Sequence, residues 1–268
     1  MKKDNIIKKI FLCIYPVIFW LISQVGVSIA FQFYYALTSM KKGIYDLEDL
    51  TSYISENTVF ILLISSLINI IFFGFILLKN KKLHFHLYEN QKNIKYIVSI
   101  IFLGISFFMF SMGIIDIFDL TKYSSSYTET MALLSSGGIL INIISVGIIT
   151  PISEEFMLRG IVYNNLKRYV NFKTAIILQA LIFGIMHMNI IQSTYAVIAG
   201  IIIGYIYEKS QSLVMSCVFH ISFNICNHLF SLPILSDIMS YSLLMTIIGV
   251  LIFYISFKYF LKANKKIT

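Results

Sequence analysis

TPISEEFMLRG at Thr150–Gly160, FGIMH at Phe183–His187 and HISFN at His220–Asn224 decide how this chain reads. Two adjacent carboxylates, a guanidinium, two imidazoles and an amide lie inside segments apolar enough for lipid. Ionisable groups at membrane depth are costly, so their presence there points to a functional site. The remainder of the chain has to bring them together.

Composition gives the setting. Of the 268 residues, 58% are hydrophobic and 13% charged, with mean hydropathy +0.82. Soluble domains carry roughly 45–50% apolar and about 25% charged residues. The chain therefore reads as an all-α, polytopic membrane protein, a single integral membrane domain over residues 1–268. The formal charge of +8 does not form one basic patch, which argues against nucleic acid as a partner and leaves the lipid bilayer as the partner. Cys13, Cys217 and Cys226 sit in apolar runs and read as small core hydrophobes rather than a disulfide framework. Neither Cys-x-x-Cys nor His-Glu-x-x-His occurs.

Apolar runs near the ~20 residues needed to cross a bilayer predict about eight spans. They fall at Ile10–Tyr34, Val59–Leu78, Ile97–Ile117, a long helix from Gly137 to about Tyr169 kinked at Pro151, Thr174–Met188, Tyr195–Tyr207, Leu213–Phe230 and Met239–Leu261. The first is longer than the apolar core of a signal peptide and lacks a small-x-small cleavage site, so it reads as a retained span. With the N-terminus inside, all but Lys41, Lys42 and Lys122 of the 21 basic residues fall on the inner side. Asp46, Glu48, Asp49, Glu56, Asp116, Asp119, Glu129 and Asp237 fall outside. The positive-inside rule then predicts both termini in the cytoplasm of a multi-pass cell-membrane protein. Richness in Ile, Lys and Asn hints at a bacterial source. Gly200 and Gly204 form a G-x-x-x-G pair that lets helices approach closely, within the bundle or, alternatively, across a homodimer face.

The fourth and fifth spans turn near Val170 and Asn171. Glu154 and His187 lie at almost equal separations from that turn, on the order of 20 Å at 1.5 Å per residue. His220 lies inside the seventh span, which starts from the same side, so a shared site open to cytoplasmic water is expected. Glu155 and Arg159, four apart, should pair on one helix face; neighbouring Glu154 then points elsewhere. His220 and Asn224 share a face, as do Phe183 and His187. Two chemistries fit. A carboxylate and a histidine can activate water while a second histidine and an amide steady an oxyanion. Alternatively, Glu154, His187 and His220 can ligate one divalent metal such as zinc. Spacing does not choose between them.

EEFMLR at Glu154–Arg159 resembles the E-E-x-x-x-R motif of the CPBP family, which takes in type II CAAX prenyl endopeptidases and bacteriocin-processing or immunity proteins and is also called Abi. FGIMH resembles its F-x-x-x-H motif and HISFN its H-x-x-x-N motif, in the family's order, over roughly Gly137–Phe230. The resemblance implies an eight-helix membrane fold and an intramembrane endopeptidase acting on a membrane-associated peptide or protein near the cytoplasmic leaflet. It also implies that Glu154 and His187 activate water, His220 and Asn224 form the oxyanion site, and Glu155 and Arg159 support them. The family is described as metalloproteases, and a metal-free glutamate mechanism is also argued for it. A non-proteolytic immunity or scaffold protein of the same fold is the alternative, and a transporter or proton relay a third reading. Outside the motifs, His228 reads as a packed residue, His84 and His86 as headgroup-facing, Glu208 and Lys209 as an exposed turn, and Trp20 as a lipid-facing or interfacial anchor.

Overall fold

The computed structural model describes residues 6–42, 46–80, 94–230, 232 and 241–265, and among these every regular element is helical. We number the helices α1 (Ile6–Lys42), α2 (Leu47–Glu56), α3 (Thr58–Lys79), α4 (Ile94–Ile117), α5 (Ser125–Leu134), α6 (Ile139–Lys167), α7 (Phe172–Met186), α8 (Ile190–Ser210), α9 (Leu213–Leu229) and α10 (Ser242–Lys265). Six of them, α1, α3, α4, α6, α8 and α10, are long and apolar enough to cross a membrane, while α7 and α9 are shorter apolar helices. The protein is thus an all-α, multi-pass membrane protein. His84, His86, Asp237 and Met239 lie outside the described residues.

Two short helices have no counterpart among the expected spans. The polar α2 is capped by the Asp46 carboxylate, which accepts from the Glu48 amide, and its Tyr53 packs on Phe31 and Tyr35 of α1. In α5 the Ser124 side chain caps the helix at Tyr127. Both stand at the end of the bundle that carries Asp46, Glu48, Asp49, Glu56, Asp116, Asp119 and Glu129. The opposite end carries Lys79, Lys95, Lys167, Arg168, Lys173 and Lys209.

Pro151 does not sharply break α6. The chain stays helical from Ile139 to Lys167, with π-helical turns at Ile143–Ile149 and Phe156–Tyr163 around an α-helical Thr150–Glu155. π turns close an i→i+5 ring and are frequent at functional sites. The register of α6 on α3 is explicit. Ser145 donates to the Val59 carbonyl, the Thr150 and Ser66 hydroxyls are 3.1 Å apart, and Gly160 faces Leu77.

Two apolar clusters hold the bundle. One gathers α4, α9 and α10 around Leu103, Phe107, Phe219, Phe223 and Phe260; the other gathers α1, α3, α6 and α7 around Phe73, Leu77, Met157, Leu158 and Ile161. Helix α8 contributes to both, with Ile203 and Ile206 in the first and Ala196 and Tyr207 in the second. The polar motifs lie where the clusters meet. Gly200 and Gly204 are buried against Ala180, Gln179 and Ile176 of α7. This glycine face is therefore used within the chain.

Gly104 marks a close approach of α4 to α9, where a Cβ would stand 2.5 Å from the Phe219 carbonyl oxygen and 2.8 Å from Ser222 Cβ. Overpacking a filled core costs about 1–3 kcal/mol. Gly104→Val should lower the melting temperature of detergent-solubilised protein and displace α9; unchanged melting would mean that α4 and α9 are not packed this way.

Candidate active site

Arg159 is the largest fully buried side chain of the described residues. Its Nη1 donates to Glu155 Oε1 at 2.7 Å and both side chains are 0% exposed. The other terminal nitrogen donates to the Gly200 carbonyl at 3.2 Å, which Gln179 Nε2 also reaches at 2.8 Å. Phe183 lies against the guanidinium, 5.5 Å from ring centroid to Cζ. The expected i,i+4 pair is present, and an arginine cut off from water needs such partners.

Glu155 does more than balance Arg159. The same Oε1 lies 2.8 Å from His220 Nδ1, which orients the imidazole of α9 so that Nε2 faces Glu154 Oε2 at 3.6 Å. Arg159, Glu155, His220 and Glu154 thus form one line of charge across α6 and α9. Two carboxylates persist in an apolar interior only where such neighbours offset their charge.

His187 closes α7. Its Nδ1 lies 2.8 Å from the Phe183 carbonyl; since a carbonyl only accepts, Nδ1 carries the proton and Nε2 of the neutral ring is left as an acceptor. The helix ends at once because Met188 takes a left-handed conformation, φ 57°. Asn189 then caps α8 by accepting from the Gln192 amide, while its Nδ2 donates to the His187 carbonyl. Phe183 stands edge-on to both rings, 4.8 Å from His187 and 5.5 Å from His220 between centroids. Asn189 and Gln179 are missing from the motif residues; an Asn directly before an apolar run is the N-cap signal that marks the first.

Asn224, one turn beyond His220, donates from Nδ2 to the Val146 carbonyl at 3.0 Å. The proline explains why that carbonyl is available. In the π-type frame the Thr150 amide bonds Ser145, five residues back, and the next donor would be residue 151 onto Val146. Proline has no N–H, so Val146 is left to Asn224.

Glu154, His187, His220 and Asn224 all line one cavity of about 190 Å³, together with Thr150, Phe183 and residues of α1, α3, α5 and α8. Trp20, 7% exposed, is one of them; this corrects the expectation of a lipid-facing anchor. From Glu154 the cavity runs along α6 through Thr150 to Val146, and it reaches Thr130 and Leu134 of α5. On the other side of Glu154 the interior is filled by Met157, Leu158, Ile161, Val162 and Tyr163, all buried. Below these, Tyr163 donates to Glu208 at 2.7 Å, Lys167 pairs with Glu208, and Asn164 donates to Tyr207. Glu208 is therefore a sealing residue rather than part of an exposed turn. Most of the lining lies toward the end of the bundle that carries α5.

Among the described residues no group of three or more His, Cys, Asp or Glu is placed to hold an ion, so Glu154, His187 and His220 do not close into a ligand set in this arrangement. The buried cysteines Cys13, Cys217 and Cys226 are free thiols.

Two substitutions test the architecture. Arg159→Ala leaves the buried Glu155 carboxylate without its guanidinium, a loss of about 3–5 kcal/mol, and should sharply reduce the folded protein recovered from membranes. Pro151→Ala restores an N–H that competes for Val146 and releases Asn224. With one net hydrogen bond of about 1 kcal/mol at stake, any activity of the site should fall several-fold without a drop in melting temperature. Unchanged turnover would show that Asn224 is held by other means.

Neither the comparison with curated proteins nor that with solved structures gave a match. Residues 136–226, which hold every motif residue above, match the family model described as type II CAAX prenyl endopeptidase Rce1-like, and over that part the chain is similar to this family.

Proposed function

We propose that the protein is an intramembrane endopeptidase that hydrolyses a peptide bond of a membrane-associated peptide or protein. The observation that carries the reading is the convergence of Glu154, His187, His220 and Asn224 on one cavity, within the segment similar to the endopeptidase family.

In this mechanism the nucleophile is a water held in the cavity between Glu154 and His187. Glu154 takes its proton, and the His187 Nε2 lone pair accepts its other hydrogen and aims the oxygen at the scissile carbonyl. As the carbonyl becomes tetrahedral, His220 Nε2–H and the second hydrogen of Asn224 Nδ2 donate to the developing oxyanion. Donors fixed in advance are the largest single contribution in such reactions, worth roughly 10²–10³ in rate for one donor. Glu155 keeps His220 oriented, and Arg159 balances the Glu155 carboxylate. Glu154 then returns the proton to the leaving amine, and the peptide bond opens to a carboxylic acid and an amine. No serine or cysteine takes part.

A transporter reading is weakened by the packed layer from Met157 to Tyr163, which leaves the cavity without continuation to the lysine-rich end.

Glu154→Ala and His187→Ala should each reduce processing of membrane peptides by two to four orders of magnitude, the usual contribution of a positioned acid–base group being about 10²–10⁴. Membrane levels should stay normal, compared by quantitative peptide profiling of cells carrying wild type or variant. Unaltered peptide profiles at equal membrane levels would sink the protease reading and favour the immunity or scaffold role. Because each step uses the chain's own groups, purified active protein is expected to keep its activity after exhaustive chelation, with metal content measured in parallel.

A further inference from the structure

We infer that the catalytic cavity is entered from the non-cytoplasmic face, so that the substrate is an apolar segment of an exported peptide or of the outward-facing part of a membrane protein. The inference rests on the proposed peptidase reading for the substrate, but not for the side of access.

Two independent observations combine. The first is the direction of the void. Along α6 the lining runs Glu154, Thr150, Val146, toward the end where Ser145 meets Val59 at the start of α3. The α8 lining runs from Gln192, close to that helix's first residue, down to Ile203, where buried Phe219 of α9 also borders it, and Thr130 and Leu134 of α5 border the far end of the cavity. Toward Lys79 and Lys167 the interior is packed shut. The second observation is charge. The packed end carries Lys8, Lys9, Lys79, Lys95, Lys167, Arg168, Lys173 and Lys209, whereas the α5 end carries Lys41, Lys42 and Lys122 among seven acids in the described segments. Lysine and arginine near span ends mark the cytoplasmic side, each costing energy to carry across during insertion. The packed end is then cytoplasmic and the α5 end faces out.

The lining also limits the occupant. Beyond the site residues it is chiefly apolar and aromatic, with Gln24, Thr130, Thr150 and Gln192 as uncharged polar groups and no lysine or arginine. A volume of about 190 Å³ holds a few side chains of an extended strand, not a folded partner. An apolar, uncharged segment suits it, and a segment rich in acidic residues finds no counter-ion there.

Cysteine labelling in intact cells tests the side of access without any need for activity. Cys13, Cys217 and Cys226 are buried, so the wild-type chain serves as the unlabelled background. Thr130→Cys and Gln192→Cys are placed at the α5 end of the cavity, and Lys209→Cys on the exposed surface of the opposite end. A membrane-impermeant maleimide added outside should label Thr130→Cys and Gln192→Cys in intact cells, and Lys209→Cys only after permeabilisation. The reverse pattern overturns the inference. Should a variant fail to accumulate, reporters fused to the carboxyl terminus after α10 decide the same point: cytoplasmic activity supports the outward-facing site, and external activity overturns it. If labelling follows the expected pattern while Glu154→Ala processes peptides as wild type does, the side of access stands and the catalytic reading fails.

Discussion

The rest of the site depends on one oxygen. Glu155 Oε1 accepts from Arg159 within its own helix and meets His220 Nδ1 from α9, with no solvent to screen either contact. In water such a pair is worth about 0–1 kcal/mol. In this interior the same groups cannot be separated without leaving a bare charge, so α6 and α9 are held at one register by the penalty for breaking the contact rather than by a large net gain from making it. Gly200 and Gln179 extend this constraint to α8 and α7, since the Gly200 carbonyl takes both the guanidinium and the Gln179 amide. Four helices are thereby fixed around Glu154, which points away from Arg159 because it is one residue out of phase with Glu155.

A second constraint is backbone chemistry. The π-helical turns before and after Thr150–Glu155 widen α6 where it must present both a carboxylate and a free carbonyl. Pro151 frees that carbonyl, and Asn224 takes it. The amide that would steady an oxyanion is thus positioned by a missing N–H on another helix. In the same way His187 is fixed by a helix end: the left-handed Met188 stops α7 immediately, and Asn189 ties the turn. Side chains held by backbone carbonyls and caps are less free to rotate than side chains held by one another, which is the preorganisation that the proposed water activation requires.

Much of this is legible in the chain itself, for identifiable reasons. Eight apolar runs, the Glu155–Arg159 pairing and the shared depth of Glu154 and His187 follow from helical spacing, which is strict. The motif segment coincides with the part similar to the endopeptidase family. What escapes a sequence reading is set by contacts between helices. Spacing does not show that His220 rather than His187 stands next to Glu154, because both histidines lie at a suitable depth and rotation about the helix axis decides which is nearer. Trp20 is misplaced for a similar reason: a tryptophan mid-helix looks the same in sequence whether it faces lipid or a cavity. The helices α2 and α5 are polar and short, so no apolar period announces them.

The direction of access separates two expectations that the sequence allows to coexist. The charge pattern predicts the lysine-rich ends in the cytoplasm, and equal depth from the Val170–Asn171 turn predicts a site reached from there. Depth along a helix fixes where a group lies but says nothing about which side of it is filled. Filling is decided by side-chain volume: Met157, Leu158, Ile161, Val162 and Tyr163 occupy the interior beneath Glu154, whereas above it α6 presents Thr150 and Val146 to the void. A close-packed interior admits no peptide without rearrangement, so the proposed entry through the void above Glu154 leaves the Arg159–Glu155–His220 line undisturbed. Glu154 is thereby separated from the lysine-rich end by the Glu155–Arg159 ion pair beneath it.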